Sequence, residues 1–116
     1  MDIQFTEEHE LLRNSVARLL KDEYDFAARR KIVASEDGWS RVHWKKFAEM
    51  GLLAAPFAEE FGGFGEGAMA TMIVMQEFGR RLVVEPFFET VVLAGGLIEA
   101  EGTDAQRSEH LRHCSG

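Results

Sequence analysis

Four histidines and one cysteine are the side chains in this sequence best suited to ligate a metal or to act as base or nucleophile, and none stands in a working constellation. His110, His113 and Cys114 share one helical stretch. A zinc site needs a fourth ligand, however, and a helix sets His113 and Cys114 about 100° apart. The trio reads as part of a solvated, amphipathic final helix, and no metal is expected. Ser15 and Ser40 fit helical or capping positions and His9 and His43 fall on polar helix faces, so no Ser/His/Asp triad assembles. The run Gly63-Phe64-Gly65-Glu66-Gly67-Ala68 has the letters of a dinucleotide fingerprint. That motif works by placing a pyrophosphate at a helix N-terminus directly after a buried strand. Here it follows Pro56, Glu59 and Glu60, and Glu66 would repel phosphate. Met69, Met72 and Met75 have the spacing of core gap-fillers, or of a wall that with Phe87 could accept a flexible acyl chain.

The polar groups in the most apolar setting are Glu89 and Thr90, near the start of Pro86 to Ala100. Phe87, Phe88, Val91, Val92, Leu93, Leu97 and Ile98 wind around this segment on nearly every side, so it should be a helix enclosed by the others. With Pro86 as first helical residue, Glu89 lies in the first turn, where the helix dipole favours an acid. A carboxylate facing an enclosed cavity is the other reading. Gly95 and Gly96 each cost roughly 1 kcal/mol against Ala in a helix interior, which points to a close approach there, either a tight helix crossing or a ligand against bare backbone.

The elements around this helix follow from caps and periodicity. Thr6 caps a first helix whose Leu12, Val16, Leu19 and Leu20 face inward. Asp25 caps a short second helix to about Ala34, expected to carry Phe26, Ala27 and Ile32 inward. Ser40 caps a third, with Trp44, Phe47 and Ala48 three and four apart, ended by Gly51 at the C-prime position. Residues 52–67 are irregular yet apolar and should bury. Residues 68–82 form a fourth helix, apolar on more than one face and so heavily covered, with Gly79 giving room to a neighbour. The short link at 83–86 predicts an antiparallel-like pairing of the fourth helix with the central one. Thr103 to Gln106 is a capping box that opens a sixth helix. The architecture expected is all-α, about six helices around the buried helix 86–101, in one domain over 1–116.

With 116 residues, 46% of them hydrophobic, the chain suffices for one domain, although enclosing a central helix can require a further domain. A net charge of −7 argues against a nucleic-acid surface, and Arg29-Arg30-Lys31 reads as a solvated helix face. One cysteine excludes an intrachain disulfide framework and fits a reducing compartment. The acidic N-terminus is unlike a signal peptide, and no apolar run reaches about 18 residues. No membrane insertion and a cytoplasmic location are expected.

The order of these signals resembles the N-terminal helical domain of the acyl-CoA dehydrogenase family. FTEEHELLRNSVARLL is similar to the opening helix, and Trp44 to Leu52 to the Trp, small-acidic, Gly-Leu segment. AAPFAEEFGGFGEG resembles the Pro-acidic-Gly-Gly-x-Gly loop, Glu77-Phe78-Gly79-Arg80 the helix after it, and Glu101 to Gln106 with Leu111 to Gly116 the exit from the domain. Val83 to Ala94 is similar to smaller bacterial subunits of the family. The resemblance covers essentially the whole chain. It implies an FAD-dependent oxidoreductase of three domains that converts an acyl-CoA thioester to the 2,3-enoyl-CoA, of which this chain is the first domain. The catalytic carboxylate and most flavin contacts belong to the middle and C-terminal domains, so no catalytic residue is assigned here. The resemblance puts Pro86, Glu89, Thr90 and Leu93 on the wall of the acyl cavity, with Glu89 near its distal end. It also implies a dimer or tetramer, homomeric or heteromeric. A stand-alone, non-catalytic interaction module or silent subunit is the rival reading.

Overall fold

The computed structural model describes residues 6–111 apart from 62, 64 and 66, so Phe64, Glu66, His113 and Cys114 lie outside the described residues. The described residues form six helices and no strand, the all-α architecture expected. Helix α1 spans Glu7–Glu23, α2 Phe26–Ala34, α3 Arg41–Glu49 and α4 Gly67–Arg81. Helix α5, residues 88–101, is π-helical over Phe88–Gly95 and α-helical over Gly96–Glu101. Helix α6, residues 104–111, opens with an α turn at Asp104–Gln106 and widens to π over Arg107–Leu111.

Local caps start these helices where the sequence places them. Thr6 Oγ1 accepts from the His9 amide at 3.3 Å while His9 Nδ1 accepts from the Thr6 amide at 3.1 Å, a reciprocal box that satisfies two orphan donors. His9 is therefore buried in the cap, not on a polar face. Asp25 accepts from the Ala28 amide at 2.8 Å, and Ser40 from the His43 amide at 3.2 Å. Thr103 and Gln106 form the second reciprocal box. Helix α3 ends through Gly51, whose φ of +80° lets the Leu52 amide reach back to the Phe47 carbonyl at 3.0 Å.

Leu12, Val16 and Leu20 of α1 meet Ala70, Ile73, Val74 and Phe78 in one core cluster, and α1 is the principal neighbour of α4. The expected pairing of α4 with α5 is thus replaced by α1 with α4. The expected heavy covering of α4 is narrower too: Met72 and Met75 are exposed, and a Cβ at Gly79 would meet none of the described residues within 4 Å. Phe78 is the pivot of an aromatic chain, 4.9 Å from Phe47 and 5.3 Å edge-on from Phe87 between ring centroids. The 52–67 stretch buries Leu52, Leu53, Ala54, Ala55, Phe57 and Phe61 around a single 3₁₀ turn at Glu59–Phe61.

Two expected burials do not occur. Phe26 is 69% exposed and Ala27 is also exposed, and of the three expected residues only Ile32 packs against the core. Helix α5 is covered on one side only: Phe87, Val91 and Gly95 are buried at spacings of four, whereas Phe88, Leu93 and Leu97 are 44–64% exposed. Helices α1 and α4 spend their apolar stripes on each other, leaving α5 one seat rather than a sheath. The close approach at Gly95 is the Phe57 ring, which a Cβ there would overlap; at Gly96 there is open space.

Candidate functional site

The link between α4 and α5 carries a buried carboxylate. Glu85 is 4% exposed, and its Oε2 accepts from the Tyr24 hydroxyl at 3.2 Å and the Ser40 amide at 3.3 Å. The same hydroxyl accepts from the Val84 amide at 3.1 Å. Tyr24 ends α1, Ser40 starts α3, and Val84 and Glu85 precede α5, so one polar knot ties three helix ends together. His43 extends it, with Nδ1 2.8 Å from Ser40 Oγ and its ring edge-on to Tyr24 at 5.3 Å. Burial, opposed by the Val84 amide and reinforced by the Glu85 carboxylate, pushes the Tyr24 phenol up to about 12. Glu85 Oε1 is buried without a partner among the described residues. This knot was missed in the sequence; the one signal for it is a lone acid within the apolar run VVEPFF.

The knot sets the start of α5 and with it the four residues of the expected acyl wall. Pro86 stands just outside the helix rather than at its first position, its carbonyl accepting from the Thr90 amide at 3.1 Å. Pro86 is half-buried, whereas Glu89 and Thr90 are exposed and Leu93 is 55% exposed. Glu89 lies in the first turn, where the positive helix end suits it. Glu89, Thr90, Leu93, Ala94 and Leu97 share the outward side of α5, an apolar strip with its polar groups gathered at the N-terminal end.

A second buried acid, Glu77, pairs with Arg13 at 3.0 Å and more loosely with Arg80 at 3.6 Å, joining α4 to α1. It belongs to the scaffold. Around the glycine-rich loop, a depression of about 550 Å³ is lined by Glu59, Glu60 and Glu99 against the single cation Arg107. Two of the loop amides are already taken: Gly63 donates to the Ala58 carbonyl at 3.2 Å and Gly65 to the Phe57 carbonyl at 3.0 Å. The Ala58 amide donates to Glu99 at 3.0 Å. Among the described residues of this loop, the amides of Ala58, Gly63 and Gly65 are thus already committed to protein acceptors. Among the described residues no three His, Cys, Asp or Glu side chains are grouped to hold a metal, and no helix is long and apolar enough to cross a membrane.

Residues 6–115 match the family model described as acyl-CoA dehydrogenase, N-terminal domain. A relative named acyl-CoA dehydrogenase IpdE2, from Mycobacterium tuberculosis, is 37% identical over 106 residues, covering 90% of this chain and 33% of the relative. Another, named acryloyl-CoA reductase (NADH), from Anaerotignum propionicum, is 28% identical over 112 residues, covering 96% of this chain and 28% of its own. The crystal structure of the ChsE4–ChsE5 complex from Mycobacterium tuberculosis superposes with a TM-score of 0.86 at 25% identity, covering 99% of this chain and 32% of that one. The chain thus spans about a third of the length of the relatives it matches.

Proposed function

The chain belongs to the acyl-CoA dehydrogenase family, and from that premise we propose that it is the N-terminal helical domain of an FAD-dependent enzyme oxidising an acyl-CoA thioester to the 2,3-enoyl-CoA. The domain supplies a wall of the acyl cavity and a surface for assembly. The middle and C-terminal domains of such an enzyme lie outside this chain, and the flavin and the reacting carbons belong with them. The described amides of the glycine-rich loop, Gly63 and Gly65, already donate to the Ala58 and Phe57 carbonyls and leave no donor of their own for a flavin phosphate.

The observation that carries this reading is the half-dressed α5. An apolar strip with Leu93 and Leu97 more than half exposed suits a cavity wall completed by other domains. Leu93 and Leu97 would exclude water from an acyl chain, while Glu89 and Thr90 would give the cavity a polar end and Pro86 would fix where the wall begins.

The experiment is substitution in the flavin-loaded protein containing all three domains. Leu93→Trp should shift preference toward shorter acyl chains by occlusion, and an unaltered profile would remove Leu93 from the wall. A second reading, a silent subunit of a heteromeric dehydrogenase, is favoured by the structural match to a complex of two different chains, ChsE4 and ChsE5. A purified assembly in which this polypeptide neither holds flavin nor oxidises acyl-CoA without its partner would support that reading. Either arrangement is a dimer or tetramer in the cytoplasm, with acyl-CoA as the small-molecule partner.

A further inference from the structure

Three features converge at the corner where the C-terminal ends of α1 and α4 meet α2. The first is charge. A depression of about 480 Å³ is rimmed by Arg18 and Lys21 of α1 and Arg80 and Arg81 of α4. Arg29 of α2 reaches the same corner, donating from Nε to the Leu82 carbonyl at 2.7 Å. Four cations thus line the depression with Asp22 and the already paired Glu77, and Arg29 stands at the neighbouring helix end close to Asp25, in a chain whose net charge is −7. Cations at helix C-termini offset the dipole of their own helix, but the cations of two helix ends sharing one hollow exceed that need.

The second feature is helix α2 itself. It has nine residues and none is buried, although an isolated helix of that length is marginal in water. Its outer face carries Phe26, Arg30 and Val33 at spacings of four and three; Phe26 is 69% and Val33 48% exposed. The Arg30 guanidinium lies 5.9 Å above the Phe26 ring.

The third is Leu82, which holds φ at +53° and is 59% exposed. It occupies the C-prime position of α4, where the Val83 amide reaches back to the Phe78 carbonyl at 3.0 Å. That position favours glycine, and glycine takes the other left-handed positions among the described residues, 38, 51 and 65. A branched side chain kept in a disfavoured backbone region and pointed at solvent gains nothing for this fold.

We propose that this corner docks an acidic segment of a partner protein that also presents an aliphatic or aromatic side chain, its carboxylates meeting the ring of cations and its apolar residue seated between Leu82 and Phe26. Asp22 and Asp25, interleaved with the cations, argue against a flat anionic bilayer; a protein surface can meet both signs. The docking does not depend on the thioester reading given above.

The test is binding to the full chain of a short fluorescent peptide alternating glutamate and leucine, with the lysine-for-glutamate peptide as control. The glutamate peptide should bind with an affinity that falls as salt rises, and amide shifts should centre on residues 26–33 and 80–83. The Arg30→Glu/Arg81→Glu double variant should weaken binding by about tenfold or more. Leu82→Gly should also weaken it while raising Tm, which separates docking from folding. The proposal fails if both peptides bind alike, if charge reversal leaves the affinity unchanged, or if the shifts map elsewhere. It also fails if phosphatidylserine vesicles, and not the peptide, are bound through Arg30 and Arg81. Burial of Leu82 by the remaining domains in a longer form of the protein would equally overturn it.

Discussion

The hydroxyl of Tyr24 donates to Glu85 across a sequence separation of 61, and this single 3.2 Å bond fixes where α5 begins relative to the end of α1. The hydroxyl also accepts from the Val84 amide, so its loss leaves that half-buried amide without its acceptor and the buried Glu85 Oε2 with the Ser40 amide alone. Tyr24→Phe should therefore cost about 1–3 kcal/mol, more than a single hydrogen bond, because the stranded groups retain their desolvation penalty. Urea denaturation of the two proteins measures it; equal midpoints would show that the knot contributes nothing.

The same residue gives a pH signature. The phenol rises from an ordinary 10.0 to about 12 in the folded protein, so the fold favours the protonated form. Stability from this source is full below pH 10, where both states keep the proton. It falls between about pH 10 and 12, as the unfolded chain releases the proton first, and is gone above that. Two pH units correspond to about 2–3 kcal/mol. Tyr24 is the only tyrosine, so the phenolate absorbance band reports on it alone. The band should appear near pH 10 in denaturant and well above it in the folded protein, and the Tyr24→Phe variant should lose less stability over that window.

The two partners of Glu77 should be unequal. Arg13 reaches it at 3.0 Å with a side chain only 19% exposed, whereas Arg80 lies at 3.6 Å and is 66% exposed. Arg13→Ala uncovers a buried carboxylate and should cost about 3 kcal/mol, while Arg80→Ala, a pair screened by water, should cost under about 1 kcal/mol. Thermal unfolding of both variants checks the order, and a reversed order would reassign the ion pair.

The adjacent glycines of α5 make a sharper contrast. A Cβ at residue 95 would overlap the buried Phe57 ring, and one at residue 96 would meet nothing. Gly95→Ala should destabilise by about 1–3 kcal/mol, and Gly96→Ala should stabilise by up to about 1 kcal/mol. Combining Gly95→Ala with Phe57→Leu should recover part of the loss. Additive losses in that cycle would place the conflict elsewhere.

What was legible in the sequence was local. Thr6, Asp25, Ser40, Thr103 and Gly51 act on backbone groups two to five residues away, so their chemistry announces each helix boundary. The apolar faces of α1 and the 52–67 stretch were equally readable, since burial is the only stable place for them. The coverage of α5 was not. All-round apolarity tells that a helix is enclosed, not by which elements, and the strip of Leu93 and Leu97 is left open by this chain. The knot at Tyr24 and Glu85 was hidden because its partners are far apart in sequence and neither has a local signature. The four expected wall residues came from family resemblance, and the structure sets three of them, Glu89, Thr90 and Leu93, on the exposed side of α5.

The open side of α5 leads to a prediction that distinguishes a wall from a core. Leu93 contributes little burial within this chain, being 55% exposed, so Leu93→Ser should move the stability of the 116-residue chain by no more than about 0.5 kcal/mol. A buried counterpart on the same helix, Val91→Ser, loses apolar packing and adds a hydroxyl to the core; it should cost about 2 kcal/mol or more. In the flavin-loaded protein with all its domains, the Leu93 change should instead appear as a higher KM for long acyl chains with little change in Tm. If Leu93→Ser unfolds the short chain, the residue is packed rather than presented. If it leaves both stability and acyl preference untouched, the strip is covered by neighbouring protein and the acyl group lies elsewhere.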